Sequence, residues 1–290
     1  MPLVDPREVL PRAAAEGYAV PALNFHSLDM VPALLEVAEA EGSPVILQAS
    51  QGTIAFLGFD AIEAVVHALA RRCRVPVILH LDHARDYGLV LRALRYGFNS
   101  VMADGSMLPF EDNVRLTAQV VEAAHAAGVA VEGELGYVPR QGERGPEGAA
   151  TSPGSPGGYD LTRPEEAEEF VARTGVDSLA VAVGTVHGLY REAPRLDLER
   201  LADLRARVPV PLVLHGGSGL PPEMVQAAIA RGVAKVNFAT ELKHAWAGGL
   251  RAALAGDRET DPRRLLEPAL QALQAEAARK IGVCGSRGRA

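Results

Sequence analysis

The sequence predicts an α/β protein built as a TIM (β/α)8 barrel, because eight short apolar segments alternate with longer segments of helical periodicity. The apolar segments are continuous runs of Val, Ile, Leu and Ala, which is typical of parallel strands with both faces covered. The first strand-to-helix turn lacks a GxGxxG pattern, which counts against an open dinucleotide-binding sheet. The predicted strands are residues 18–25, 44–50, 76–82, 100–104, 129–135, 178–184, 211–215 and 234–239.

Helices are predicted between these strands, and prolines and glycines mark several helix ends. Two more helices, residues 241–256 and 261–281, follow the last strand, and a barrel needs only one of them. We expect the extra C-terminal helix to cap the barrel or to pack against another subunit. The helices predicted between strands include residues 30–41, 61–72, 111–127, 165–174, 198–207 and 222–231.

Composition and charge limit the number of domains, the kinds of partner and the cellular location that we expect for this protein. A chain of 290 residues, 48% of them hydrophobic, can bury a large core, and a barrel of about 250 residues commonly forms one domain. We therefore expect residues 1–290 to form a single domain. The net charge of −7 argues against nucleic acid or an anionic membrane as a partner. The chain has no apolar run near the roughly 20 residues of a membrane span, no signal-peptide pattern and no ligand-like cysteine spacing, so a cytoplasmic protein is expected.

One long segment, residues 137–160, follows neither the strand nor the helix pattern. It is dense in Gly and Pro. Such a loop inside a compact domain is usually a functional lid or a disordered excursion, so we expect it to be flexible.

Three histidines stand just past the ends of predicted strands. His83, His187 and His215 each follow an apolar run at widely separated points of the chain. A barrel gathers the carboxyl ends of its strands on one face, so these imidazoles are expected to converge. Three neutral imidazoles with an open position are typical of a catalytic divalent metal, most often zinc. The alternative for each histidine alone is a cap on its strand end.

Carboxylates and glycines stand at the other strand ends. Asp82 adjoins a candidate ligand and is the best general acid/base candidate, the alternative being a carboxylate that only orients a histidine. Asp104 and Glu134 could hold a second metal or make ordinary loop contacts. The glycine-rich turn 216–219 and residues 237–240 follow strands seven and eight, where barrels often bind phosphate. We therefore expect the substrate to carry a phosphate group that binds at these two turns.

Lys235 suggests a different mechanism, through an imine, because Schiff-base aldolases also use a lysine on a barrel strand. Lys235 precedes Asn237 by two residues and is expected to face the barrel interior at a lower layer. An imine mechanism would leave the three histidines without a role, so the metal interpretation is preferred.

Four motifs resemble those of the class II, metal-dependent ketose-bisphosphate aldolases: HLDH at 80–83, GTVHG at 184–188, LHGGSG at 214–219 and KVNFATELK at 235–243. The resemblance runs from about residue 18 to the C-terminus. It implies a TIM barrel, Zn2+ or another divalent ion such as Co2+, a phosphate region with Na+ or K+, and homodimers or homotetramers.

The resemblance also implies residue roles. His83, His187 and His215 would bind the metal, Asp104 and Glu134 would bind a second metal, and Asp82 would exchange a proton with the aldehyde oxygen. The candidate substrate-binding residues are Asn24, Ser50, Gly188, Gly216, Gly217, Ser218, Asn237, Phe238, Ala239, Thr240 and Lys243.

Two features distinguish branches within that family. Fructose-bisphosphate aldolases resemble one another in carrying Asp where this chain has Ala239, whereas the tagatose branch reads like this chain. Lys243 matches a basic position that reaches a distal phosphate across a subunit interface in relatives. The resemblance therefore favours tagatose 1,6-bisphosphate, with fructose 1,6-bisphosphate as the alternative substrate.

The chain departs from the family pattern in two places. Relatives usually read GGxED after strand five, with the Glu as the C3 base; here the segment is GYVPRQGER, and Glu143 is displaced by one residue. Arg191 stands where fructose-specific relatives often have Lys, and the two side chains are not interchangeable. The expected function is reversible cleavage of a ketohexose 1,6-bisphosphate to dihydroxyacetone phosphate and glyceraldehyde 3-phosphate. The alternatives are an aldolase for another phosphorylated aldehyde and a non-catalytic, metal-binding accessory subunit.

Overall fold

The eight strands form a closed, all-parallel barrel in sequence order, which confirms the predicted fold. The computed structural model describes residues 3–143, 160–255 and 259–290. Residues 144–159, the greater part of the predicted flexible loop, lie outside the described residues. The strands are β1 (Val20–Asn24), β2 (Val45–Ser50), β3 (Val77–Ala84), β4 (Ser100–Ala103), β5 (Ala130–Leu135), β6 (Ser178–Val181), β7 (Leu212–Leu214) and β8 (Val233–Phe238).

Helices surround the barrel between the strands. The described helices are α1 (Pro6–Glu16), α2 (Met30–Ala40), α3 (Gln51–Leu57), α4 (Phe59–Ala70), α5 (Tyr87–Arg95), α6 (Phe110–Ala126), α7 (Pro164–Thr174), α8 (Leu198–Arg207), α9 (Pro222–Ile229), α10 (Thr240–Leu254) and α11 (Pro262–Val283). Eight of them match the predicted helices to within a few residues. In the described part of the chain no single helix has the length and apolarity to cross a membrane, although α3 and α4, bent by 96° at their junction, would suffice together by length and composition.

The N-terminal helix α1 covers the bottom of the barrel. Its Asp5 N-cap accepts a hydrogen bond from the backbone N–H of Arg7, and proline occupies the first turn. The buried face of α1 packs against inward-facing residues of the strands, which gives a second apolar cluster: Val9, Leu10, Ala13, Tyr18, Val20, Ala22, Ile46, Ile78 and Ala234. The opposite end, where the strands terminate, stays available for a site.

The extra C-terminal helix packs inside its own chain, against α10, α2 and β1. Leu273, Ala277 and Ile281 supply its buried face. The contact with α10 is close at Gly249, where an added Cβ would lie 2.4 Å from the carbonyl oxygen of Pro268. A side chain there would push the two helices apart, so glycine is required by this crossing.

Candidate metal and phosphate site

The three histidines of the predicted site converge at the carboxyl end of the barrel. The ring of His83 lies 5.0 Å from that of His187 and 4.7 Å from that of His215, and the last two are 5.8 Å apart, centroid to centroid. One nitrogen from each ring lies within 4.8 Å of the others. These separations place three imidazole donors around one point.

The backbone at His83 helps to aim its ring. His83 has φ +54°, the one non-glycine residue with positive φ among the described residues. The register between β3 and β4 shifts at the same place, between Leu81 and Ala84. Left-handed backbone at a non-glycine residue is unfavourable and is typically found at functional sites.

The donor set fits a divalent metal. Nδ1 of His215, Oδ1 of Asp82 and Oε2 of Glu134 are buried and have no hydrogen-bond partner among the described residues. Buried polar atoms normally have partners, so these unpartnered acceptor atoms are expected to bind a ligand. Imidazole and carboxylate atoms together suit zinc or a similar ion.

A second donor group shares His83. Nδ1 of His83 lies 3.1 Å from Oδ2 of Asp104 and 3.6 Å from Oε2 of Glu134. Asp104 is also held by Nε of Arg85 at 3.1 Å and by the hydroxyl of Ser106 at 2.6 Å. Burial, reinforced by the nearby charge of Asp104, raises the pKa of Glu134 to about 8. The structure thus brings the two carboxylates of the predicted second metal position together beside the first.

Asp82 stands at the end of β3 with its carboxylate beside His83. Its Oδ2 accepts a 2.7 Å hydrogen bond from Nδ2 of Asn24, and Oδ1 of Asn24 accepts one from Gln48. Burial raises the pKa of Asp82, but the positive charges around it, of which His83 is the strongest, together outweigh that effect and bring the pKa down to about 2. The hydrogen-bonded amides of Gln48 and Asn24 fix one oxygen of Asp82, and the other oxygen has no hydrogen-bond partner among the described residues.

The loops after β7 and β8 meet at the start of α10. The hydroxyl of Ser218 accepts hydrogen bonds from the backbone N–H groups of Ala239, at 3.2 Å, and Thr240, at 3.1 Å. The hydroxyl of Tyr190 accepts from the N–H of Val186 and donates to the carbonyl oxygen of Gly216. A helix N-terminus beside glycine-rich backbone is a favourable place for a phosphate.

One pocket lies among these groups, and His215 is buried outside its lining. The lining residues are Asn24, Asp82, His83, His187, Gly188, Gly216, Ser218, Asn237, Ala239 and Thr240. Four other predicted substrate residues lie outside the lining. Ser50 caps α3 through a hydrogen bond from the N–H of Thr53, and Gly217 is packed against Val236, where an added Cβ would be 2.6 Å from the Val236 side chain. Phe238 is fully buried, with the amine of Lys280 4.7 Å from its ring centroid, and Lys243 is exposed on α10.

Glu143 lies at the end of the described part of the loop after β5, outside the pocket lining. The hydroxyl of Tyr137 is 3.1 Å and 3.2 Å from its two carboxylate oxygens, and the N–H of Arg140 donates to one of them. The same segment is hydrogen-bonded to the backbone of His187, through the N–H of Gln141 and the carbonyl oxygen of Pro139. The loop is therefore anchored to a candidate metal ligand.

Sequence reasoning missed Glu132, which touches His215, and Gln48, which orients Asn24. The position of Glu132 could have been predicted from the alternation of side chains along a strand. Glu132 precedes Glu134 by two residues and must therefore face the same side of β5. Lys235 faces the interior, as expected, and is 1% exposed. Its amine is bound to Glu132 beneath the histidines, outside the pocket lining.

Comparison with known proteins places the chain in a family. Residues 4–289 match the model of the class-II fructose-bisphosphate aldolase family. The YdjI aldolase from Escherichia coli K12 is similar over 99% of both chains, with 35% identity and a TM-score of 0.86. A putative fructose-1,6-biphosphate aldolase from Coccidioides immitis is 33% identical over 97% of this chain and 96% of its own, with a TM-score of 0.84.

The fructose-bisphosphate aldolase of Campylobacter jejuni is 27% identical over 100% of this chain and 97% of its own, also with a TM-score of 0.84. The resemblance inferred from the four motifs is thus confirmed. The chain belongs to the class-II fructose-bisphosphate aldolase family, and it is an aldolase, a carbon–carbon lyase acting on phosphorylated sugars.

Proposed function

We propose that this aldolase reversibly cleaves a ketohexose 1,6-bisphosphate, with tagatose favoured over fructose, into dihydroxyacetone phosphate and glyceraldehyde 3-phosphate. One observation carries the proposal: His83, His187, the carboxylate of Asp82 and the N-terminus of α10 line a single pocket, and the third histidine donor, His215, is buried within reach of the other two. That combination suits a phosphorylated substrate whose reacting carbons lie beside a metal.

His83, His187 and His215 would hold the metal, proposed to be Zn2+, with Asp104 and Glu134 beside His83 as a second position. Zinc supplies a Lewis acid that stabilises the negative charge developed on the substrate during carbon–carbon bond cleavage. The protein's own part is to orient the three imidazoles and to keep those of His187 and His215 neutral. Burial lowers the pKa of His215 and takes that of His187 well below its ordinary value, which favours the ligating form.

The phosphate of dihydroxyacetone phosphate would bind against the N–H groups of Ala239 and Thr240 and the hydroxyl of Ser218. In the structure that hydroxyl oxygen stands where a phosphate oxygen would accept from the same two donors. Gly188 and Gly216 contribute backbone with left-handed φ at the pocket wall, and Na+ or K+ is proposed to share the phosphate region.

Asp82 is proposed to exchange the proton of the aldehyde oxygen when the carbon–carbon bond breaks or forms. Asn24 holds one of its oxygens, and the other is unpartnered among the described residues, which leaves a proton position open toward the pocket. Glu143 is proposed as the C3 base. Because Tyr137 and Arg140 occupy its carboxylate, the segment 137–143 must rearrange before Glu143 reaches the substrate.

The substrate preference and assembly are also proposals. Ala239 lines the pocket where a fructose-specific relative would carry Asp, which supports tagatose 1,6-bisphosphate. Lys243 is exposed on α10, three residues after the pocket-lining Thr240, and would reach the distal phosphate of a neighbouring subunit in a homodimer or homotetramer.

The test is turnover of tagatose and fructose 1,6-bisphosphate by the purified protein, followed by dihydroxyacetone phosphate release. Chelation should abolish release, and Zn2+ or Co2+ should restore it. Zinc-loaded protein that cleaves neither sugar would contradict the proposed substrate. Condensation of dihydroxyacetone phosphate with a panel of phosphorylated aldehydes would then separate a different aldolase, which forms product, from an accessory subunit, which binds zinc and forms none.

A further inference from the structure

A buried ion pair lies beneath the three histidines, outside the lining of the pocket. Nζ of Lys235 is 2.5 Å from Oε2 of Glu132, and the two side chains are 1% and 2% exposed. Two charges are removed from water only at considerable cost, which their attraction offsets when the geometry is good. The proposed reaction gives neither residue a role.

The second oxygen of Glu132 contacts a candidate metal ligand. Oε1 of Glu132 lies 2.8 Å from Nε2 of His215. An ionised carboxylate only accepts hydrogen bonds, so Nε2 must carry the proton. In a neutral imidazole the lone pair is then on Nδ1, and this atom is buried without a hydrogen-bond partner among the described residues. The contact therefore selects the tautomer that can bind a metal through Nδ1.

Lys235 fixes which oxygen of Glu132 faces His215. Its amine also lies 3.3 Å from Nε2 of His80, whose Nδ1 is 2.7 Å from the hydroxyl of Ser100. The ammonium of Lys235 can only donate hydrogen bonds, so the atoms that face it on Glu132 and His80 must be acceptors. Rotation of the Glu132 carboxylate is thereby prevented, because one oxygen is bound on each side.

We propose that Glu132 and Lys235 are positioning residues for the metal ligand His215: they hold the proton on Nε2 and direct Nδ1 toward the metal. The inference rests on the metal site proposed above. Partners of this kind commonly change metal affinity 10- to 100-fold when they are removed.

The substitution Glu132→Gln makes a specific test, because the volume is kept and one acceptor oxygen becomes a donor. The ammonium of Lys235 repels an amide NH2, so the introduced amide should turn its oxygen to Lys235 and its NH2 to His215. Nε2 of His215 must then accept, the proton moves to Nδ1, and the ligating lone pair is lost. In E132Q/K235M the amide is free to turn, and its oxygen can again accept from Nε2.

Two measurements check this scheme. Competition with a chromophoric chelator gives the Zn2+ affinity, for which we expect E132Q to bind roughly 10- to 100-fold more weakly and E132Q/K235M to recover part of the loss. Nitrogen NMR shifts of the histidines in metal-free protein give the tautomer of His215 directly, with Nε2–H expected in the wild type and Nδ1–H in E132Q. The wild-type spectrum decides the tautomer even if a variant does not fold.

The matched control is Glu241→Gln. Glu241 is paired with Lys280, an equally buried lysine of α11, and makes no contact with the histidines in the described part of the chain. Its Zn2+ affinity should equal that of the wild type. Unchanged affinity or an unchanged His215 tautomer in E132Q would overturn the inference. A wild type that binds no Zn2+ yet shows Nε2–H in His215 and Nδ1–H in E132Q would instead count against the proposed function alone.

Discussion

The hydroxyl oxygen of Ser218 lies 3.1 Å from the backbone nitrogen of Thr240, which joins the loop after β7 to the first turn of α10. Both residues line the pocket, and the contact leaves the helix N-terminus directed into it. A substrate phosphate would take over these N–H groups and receive the hydroxyl as a further donor.

Ser218→Ala should therefore weaken substrate binding more than catalysis. A hydrogen bond to a charged group contributes about 1.5–3 kcal/mol, which predicts a KM increase of roughly 10- to 100-fold with a smaller change in kcat. Steady-state kinetics measure this. Ser286→Ala is the control, since Ser286 is also buried but bonds to Ser43 at the other end of the barrel. Equal KM values for S218A and the wild type would argue against the phosphate assignment.

Asp82→Asn should remove proton exchange at the aldehyde oxygen while leaving the fold and the three metal ligands in place. Loss of a general acid/base typically lowers the rate by about 10²- to 10⁴-fold. Cleavage should fall by that factor with an unchanged metal content. Exchange of the C3 hydrogen of dihydroxyacetone phosphate with solvent should persist, because another group removes that proton. A parallel loss of exchange would assign Asp82 to the C3 step instead.

Glu143→Gln should show the complementary result. If segment 137–143 rearranges to bring Glu143 to the substrate, the amide cannot accept the C3 proton, and both cleavage and C3 exchange should fall by about 10²- to 10⁴-fold. Glu192→Gln is a suitable control on another exposed loop. Normal C3 exchange in E143Q would exclude Glu143 as the base and direct the search to other residues of the loop after β5.

Metal binding should raise the stability of the protein, because the three donors converge only when the barrel is folded. A ligand present at 100 times its Kd adds about 2.7 kcal/mol to the free energy of unfolding. Thermal denaturation should show a higher Tm with Zn2+, and His187→Ala should lose that increase. His125→Ala, which alters a histidine paired with Asp177 on the surface, should keep it. An equal zinc response in H187A would contradict the assignment of the ligand.

The barrel and the histidine cluster were predictable because both follow from local pattern. Apolar runs locate strands, and parallel strands in sequence order must bring His83, His187 and His215 to the same end. The short helix α3 was missed because it has seven residues and directly follows β2. The Glu132–Lys235 pair could not be read from either segment, since it depends on the inward register of β5 and β8 across the barrel. The periodicity of a single segment shows which residues share a face, but it does not show which residues of two distant strands lie at the same level in the barrel.

Ala239→Asp tests the substrate preference at a position where the structure shows direct access to the pocket. The methyl group of Ala239 makes no hydrogen bond, whereas a carboxylate there would accept from a substrate hydroxyl. Tagatose and fructose 1,6-bisphosphate differ in the configuration of one hydroxyl, so such an acceptor can favour one of them. We expect the ratio of kcat/KM for tagatose over fructose bisphosphate to fall by roughly 10-fold, within the range that a single pocket contact provides. Ala234→Ser, buried at the bottom of the barrel, should leave the ratio unchanged. A ratio that stays constant in A239D would mean that the preference is set elsewhere, with exposed Lys243 of a neighbouring subunit as the next residue to vary.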